Sequence, residues 1–206
     1  DCSQSRGLGD VYKRQNKMTA VNAVEEDYKI TRVIGNEILY YGEITSDDIL
    51  EFIEEFKRLE IHLLKQKAEL IGYEPLIRIH ICSGGGDLFA GLSAMNILEK
   101  SRVKVITIAQ GECGSAATFL LLGGHERLIG KNAHVLIHQI STTGFWGKYE
   151  EVKDEMRMCD KLMNMVKKTY KEKTNIPDKQ LKKLMKRDIY LDPSECIKYD
   201  VVHALD

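Results

Sequence analysis

An α/β domain with a largely parallel sheet is the fold class the sequence predicts, on two observations. Short runs rich in β-branched and aliphatic residues end at glycine or at glycine-rich turns. Most of these runs are followed by a segment whose apolar residues recur at helical spacing. Strands that alternate with helices build βαβ units, which make neighbouring strands parallel and lay helices on the sheet. A chain of 206 residues holds one such domain with a real core.

"NEILYY" (36–41) reads as the first strand, closed by Gly42. "TSDD" (45–48) supplies N-cap candidates and an acidic first turn. Ile49, Phe52, Ile53, Phe56, Leu59 and Leu63 then follow at helical spacing, so an amphipathic helix runs to about Leu70 and stops at Gly72. "PLIRIHIC" (75–82) is the second strand, ending at "SGGG", and a helix covers 87–100. "VKVITIAQG" (103–111) is the third strand, and "GECGSAATFLLLGG" (111–124) follows it as the third helix. "HERLIG" and "AHVLIHQI", separated by "KN" at 131–132, read as a hairpin. In its second run His134, Leu136, His138 and Ile140 share one face. A long helix is predicted over 148–173, with Tyr149, Val152, Met156, Cys159, Met163, Val166 and Tyr170 stepping along it by threes and fours. So narrow a stripe suits packing on a helix of another subunit, with a core-facing stripe within one subunit as the alternative. The tail holds a short basic helix, "DIYLDPSE" and a final strand in "DVVHALD".

Bulk properties remove several function classes. The formal net charge of −1 argues against nucleic-acid binding by bulk electrostatics. The basic run 179–187 has no interleaved aromatic residue and reads as the solvated face of a helix. Cys2, Cys82, Cys113, Cys159 and Cys196 form no C-x-x-C pair, which suits free thiols in a reducing compartment better than disulfides or a metal site. The longest apolar run, Phe119–Leu122, is far below the roughly 20 residues that span a bilayer. A cytoplasmic protein with no membrane partner is the expectation. The segment 1–16 reads as a cloning or sequencing scar, because "DVYKRQ" (10–15) matches the translation of a transposon end used in library preparation. The domain is then expected over 17–206.

Parallel sheets place their sites at the carboxyl ends of strands. Three signals meet there. "SGGG" (83–86) is a turn whose backbone N–H groups can face an anion, although glycines also serve tight turns; it lacks nucleotide-binding spacing and a P-loop lysine. Ser115 stands where a strand gives way to a helix, as a nucleophile or simply as an N-cap in close-packing "GSAA". His138 lies downstream, as a base or as a structural histidine. His62, His80, His125 and His134 have no comparable pattern of partners. A serine nucleophile needs a base within hydrogen-bond reach, and the base needs an orienting carboxylate. Asp188 or Asp192 could supply it, and spacing alone does not separate them.

Four blocks in order resemble the Clp protease proteolytic-subunit (ClpP) family, from about residue 36 to 206: "NEILYYGEIT", "IHICSGGGDLFAGLSAMNIL", "ITIAQGECGSAATFLLLGG", and the pair "NAHVLIHQI" with "KRDIYLDPSECIKYDVV". The resemblance implies a ClpP/crotonase-like fold of repeated ββα units with a long protruding handle helix over 148–173. It implies a serine endopeptidase with Ser115 as nucleophile, His138 as base and Asp188, over Asp192, as orienting acid. The oxyanion hole falls on the backbone N–H groups of Gly85 and Ala116, and Gln139, Thr142, Thr143 and Gly144 hold the substrate strand. It further implies two stacked heptameric rings, unfolded polypeptide substrates and a separate AAA+ unfoldase that uses the ATP, with no cofactor or metal in this chain. The sequence departs from the family at Gly84, where a proline is usual, at Ala116, where a methionine is usual, and at Ile140, where a proline is usual. The first helix is also longer. Alternatives are a non-catalytic or capsid-maturation relative, and a crotonase-type acyl-CoA enzyme, which the Ser–His–Asp set disfavours.

Overall fold

The computed structural model describes residues 29–142, 144 and 146–206. The 1–16 segment, the start of the domain at 17, and Thr143 lie outside them. The elements run β1 (Thr31–Ile34), β2 (Glu37–Tyr41), α1 (Ser46–Glu69), β3 (Leu76–Ser83), α2 (Leu88–Glu99), β4 (Lys104–Gly114), α3 (Ala117–Leu122), β5 (Glu126–Ile129), β6 (His134–Leu136), α4 (Tyr149–Lys173), α5 (Asp178–Leu184), β7 (Tyr190–Leu191), α6 (Pro193–Lys198) and β8 (Ala204–Leu205).

One sheet runs in the order β1-β2-β3-β4-β5-β8. Along this path every neighbour from β2 to β8 is parallel, as the βαβ reading requires, and β1 is antiparallel to β2; off it, β6 lies parallel to β4 and pairs antiparallel with β7. β3 shows why the sheet has an inside. Ile77, Ile79 and Ile81 are fully buried, while Arg78, His80 and Cys82 between them are half-buried. The buried row faces α1 and α2, and Phe52 of α1 meets Tyr40 of β2 edge-on at 5.8 Å. Thr45 caps α1 as expected, its hydroxyl accepting from the Asp48 N–H at 3.1 Å. Asp87 does the same for α2 through the Ala90 N–H at 2.7 Å.

Several boundaries differ from the sequence reading. β1 was not anticipated; it pairs with β2 around Gly35, whose φ of +62° suits the hairpin turn. The expected hairpin of 125–130 with 133–140 does not form. Both runs pair parallel with β4 instead, β5 against Ile106–Ala109 and β6 against Glu112–Gly114. That second pairing explains the next correction: β4 continues to Gly114, and the helix expected from 111 is only Ala117–Leu122. β6 ends at Leu136, so His138 lies on the following loop rather than on a strand face. The final strand shrinks to Ala204–Leu205, and the basic helix to Asp178–Leu184.

The long helix occurs as read. Its stripe divides in two. Val166 and Tyr170 are buried within the subunit, whereas Tyr149 is 74% exposed and Met156 57%. Among the described residues no helix is long and apolar enough to cross a membrane.

Candidate active site

Ser115 is positioned by backbone. β4 is clamped up to Gly114 by β3 on one side and β6 on the other. The Ser115 N–H donates to the Leu136 carbonyl at 2.8 Å. Its own carbonyl accepts from the Thr118 N–H at 3.1 Å and the Thr118 hydroxyl at 2.6 Å. The residue is held at φ +51°, a left-handed conformation that a non-glycine residue adopts at a cost. The N-cap reading of its side chain fails: the cap position is Ala116, and no side chain caps α3. The small residues do pack closely, since a Cβ on Gly91 of α2 would fall 2.6 Å from the Ala116 carbonyl oxygen. With six residues α3 contributes little dipole, so any support for negative charge comes from individual amides.

The glycine turn lies directly against Ser115. Gly85 has φ +106°, and a Cβ there would meet Ser115 Cβ at 2.5 Å and the Ala116 nitrogen at 2.9 Å. The backbones of Gly85 and Ala116 therefore touch, as two amides serving one oxygen must. The Gly85 N–H donates to Ser83 Oγ at 3.1 Å, so a substrate oxyanion would have to take that hydrogen bond over. Gly86, at φ +145°, abuts Ile44, whose N–H donates to Gly85 O and whose carbonyl accepts from Asp87 N. The turn is thus anchored on its far side to the loop before α1.

His138 sits half-buried, with Nδ1 3.1 Å from Asp188 Oδ1. The exposed carboxylate orients the ring and leaves Nε2 for the cleft. Asp192, the rival, is engaged elsewhere: it caps α6 through the Glu195 N–H at 2.8 Å. Geometry brings His138 to Asp188. The other histidines face different work. His125 and His203 accept the N–H groups of Val105 and Arg127, and His80 contacts Gln110.

Ser115 and His138 line one cleft of about 580 Å³, with Gln139, Thr142 and Gly144. Ser115 and His138 make no hydrogen bond to each other among the described residues, a looseness common in unliganded sites. The opposite wall was missed by the sequence reading. It is α4, contributing Glu155, Met158, Cys159, Leu162, Val166 and Tyr170, with Trp146 and Phe89 at the rim. Its signal was present in the same periodicity, as Glu155–Cys159–Leu162–Val166–Tyr170 steps by fours and a three on a face overlapping the apolar stripe.

The buried thiols Cys113 and Cys196 do not compete with Ser115. Burial, then the proximity of Cys196, Cys82 and Glu112, pushes Cys113 far up, and burial first pushes Cys196 up to about 12. No group of three or more His, Cys, Asp or Glu side chains suited to a metal ion occurs among the described residues.

A model of the Clp protease family matches residues 29–205. The chain is 30% identical over 186 residues to the ATP-dependent Clp protease proteolytic subunit 2 of Bacillus licheniformis, covering 89% of this chain and 93% of that one. It is 28% identical over 195 residues to the proteolytic subunit 2 of Treponema denticola, covering 94% and 90%. A ClpP1 mutant structure from Listeria monocytogenes superimposes with a TM-score of 0.70 over 84% of this chain and 91% of that chain, at 21% identity.

Proposed function

The chain belongs to the Clp protease family, a family of peptidases, and from that premise we propose that it is a serine endopeptidase working through Ser115, His138 and Asp188. One observation supports this most: a His–Asp pair at 3.1 Å and a serine held by backbone at φ +51° open onto the same cleft. Ser115 Oγ attacks the peptide carbonyl while His138 Nε2 takes its proton, and Asp188 steadies the imidazolium through Nδ1. The carbonyl oxygen becomes an anion, which the N–H groups of Gly85 and Ala116 receive in place of Ser83 Oγ. Collapse breaks the C–N bond, His138 returns the proton to the leaving amine, and water hydrolyses the acyl-enzyme by the same route in reverse. Gln139, Thr142, Thr143 and Gly144 hold the substrate strand. The chain needs no cofactor of its own. The ATP is used by a separate AAA+ unfoldase, which threads unfolded polypeptide into a chamber of two stacked heptameric rings in the cytoplasm. The exposed part of the α4 stripe, with Tyr149 and Met156, is the surface that joins the rings.

Two observations favour a second reading, a non-catalytic or maturation-type relative. Ser115 and His138 are not hydrogen-bonded, and Gly85 N–H is occupied by Ser83. A fluorophosphonate probe separates the two. Labelling at Ser115 that disappears in His138→Ala supports the protease; no labelling of assembled particles overturns it. Light scattering tests the assembly, and a monomer at working concentration removes the ring-joining role of α4.

A further inference from the structure

The cleft is electrically one-sided. Among the described residues its lining contains two carboxylates besides the neutral and apolar groups, Asp87 and Glu155, and no lysine or arginine. Asp87 is committed to the start of α2, where its carboxylate accepts the Ala90 N–H at 2.7 Å. Glu155 is exposed, and among the described residues no cation pairs with it. It belongs to the α4 face that runs through Cys159, Leu162, Val166 and Tyr170, and it is the charged end of an otherwise apolar row.

The position of Ser115 along that row is fixed by neighbours. Thr118, three residues on, shares its hydroxyl hydrogen bond with Tyr170, and the Phe119 ring lies 5.4 Å from the Tyr170 ring. The reacting end of the cleft is therefore the Tyr170–Val166 end. A helix rises about 1.5 Å per residue, so Glu155 stands about 16 Å beyond Val166 and about 22 Å beyond Tyr170. An extended peptide advances about 3.3 Å per residue, and that separation corresponds to about five to seven residues. A lysine or arginine at such a position lays its aliphatic stem along the apolar row and delivers its charge to the carboxylate.

Resting on the protease reading above, we propose that Glu155 is a specificity-determining residue which selects polypeptide segments carrying a basic side chain about five to seven residues from the scissile bond. An acidic side chain at the same position meets a carboxylate in a cleft that offers no cation.

The test uses the assembled protein and internally quenched peptides in which one lysine or one glutamate is walked through about seven positions on each side of a fixed cleavage point. The expected result is one position, about five to seven residues from that point, at which lysine exceeds glutamate by about tenfold in kcat/KM at low salt, the ratio shrinking as salt is added. Glu155→Lys inverts the ratio at that position, and Glu155→Gln brings it close to one. Each ratio is taken within a single variant, so a general change in activity cancels. A flat profile, or a ratio that Glu155→Lys leaves in place, overturns the assignment while the peptidase stands. If no peptide is cleaved and Ser115 takes no fluorophosphonate, the protease reading itself falls and the selectivity falls with it.

Discussion

The two walls of the cleft are held by different kinds of contact. On the Ser115 wall the constraints are backbone: two flanking strands, the N–H bond to Leu136, and glycine Cα atoms pressed against Ser115 and Ala116. On the His138 wall they are side chain: one 3.1 Å bond to Asp188, whose carboxylate is 75% exposed, on a loop beyond the end of β6. Backbone constraints are shared with the core and resist displacement, whereas an exposed ion pair is worth little and exchanges with water. The missing Ser115–His138 hydrogen bond thus falls where the structure is least over-determined. In this fold the proposed nucleophile, Ser115, is prepared by the domain itself, and the proposed base, His138, is left to be fixed by whatever fills or covers the cleft.

The largest effect expected is on the rigid wall. Gly85→Ala puts a Cβ 2.5 Å from Ser115 Cβ and 2.7 Å from the Gly114 carbonyl, at a φ of +106° that alanine rarely adopts. Backbone must move, and the Gly85 and Ala116 amides lose their common focus. We expect a loss of about 10²–10³-fold in kcat/KM together with slowed fluorophosphonate labelling. Retained activity would show that this wall is not rigid.

Asp188→Asn tests the soft wall. The amide still reaches His138 but no longer carries the charge that stabilises the imidazolium. Because the carboxylate is mostly solvent-exposed, the expected fall is smaller, about 10²-fold in kcat/KM, with the melting temperature unchanged. A fall in melting temperature would mean the pair also holds the loop.

Glu60 provides a control remote from both walls. It is buried, and it accepts hydrogen bonds from Lys57 Nζ, Ser101 Oγ and the Arg102 N–H at 2.8–2.9 Å. Burial alone would raise its pKa, but the bonds from Lys57, Arg102 and Ser101 outweigh this and hold it below the usual carboxylate value. Its stabilisation is therefore complete above the unfolded glutamate pKa, near 4.3, and fades as pH falls through the lower folded value. Glu60→Gln should cost about 2 kcal/mol at pH 7 by denaturant unfolding, less at pH 3, and leave the lysine-to-glutamate peptide ratio alone. A changed ratio would tie the α1 core to the cleft.

What the sequence made legible, and what it hid, follows the same division between local and distant causes. β3, the glycine turn and α2 were readable because a β-branched run, a glycine stop and the restart after it are local signals. The length of α4 was readable from its threes and fours. The end of β4 was not, because Glu112–Gly114 is strand through distant partners, β6 some twenty residues on and Ser83 of β3 beyond a register shift. The false hairpin has the same origin: β5 and β6 look like partners in sequence, and they pair in tandem along β4 instead. Ser115 and His138 could be named as candidates, spacing left Asp188 and Asp192 open, and the fold pairs His138 with Asp188 while Asp192 caps α6. The α4 wall of the cleft escaped notice because a stripe shows which residues share a face, not what that face meets.

The smallest effect expected bears on how rigid the Ser115 wall is by itself. Gly84 has a φ outside the left-handed region, follows a strand residue, and would place a Cβ 3.5 Å from Glu112 Oε2 in ordinary contact. A proline Cβ there has room, its ring keeps Ser83 extended as the strand already requires, and it lowers the entropy of the unfolded chain. Gly84→Pro should stabilise by about 0.5–1 kcal/mol in urea unfolding. It should also raise kcat/KM by a few-fold, because a stiffer turn holds the Gly85 amide nearer the place where the oxyanion forms. Added stability without added rate would show that the bonds from Ser83 and Ile44 already fix the turn, and that the slack in this site lies wholly with His138.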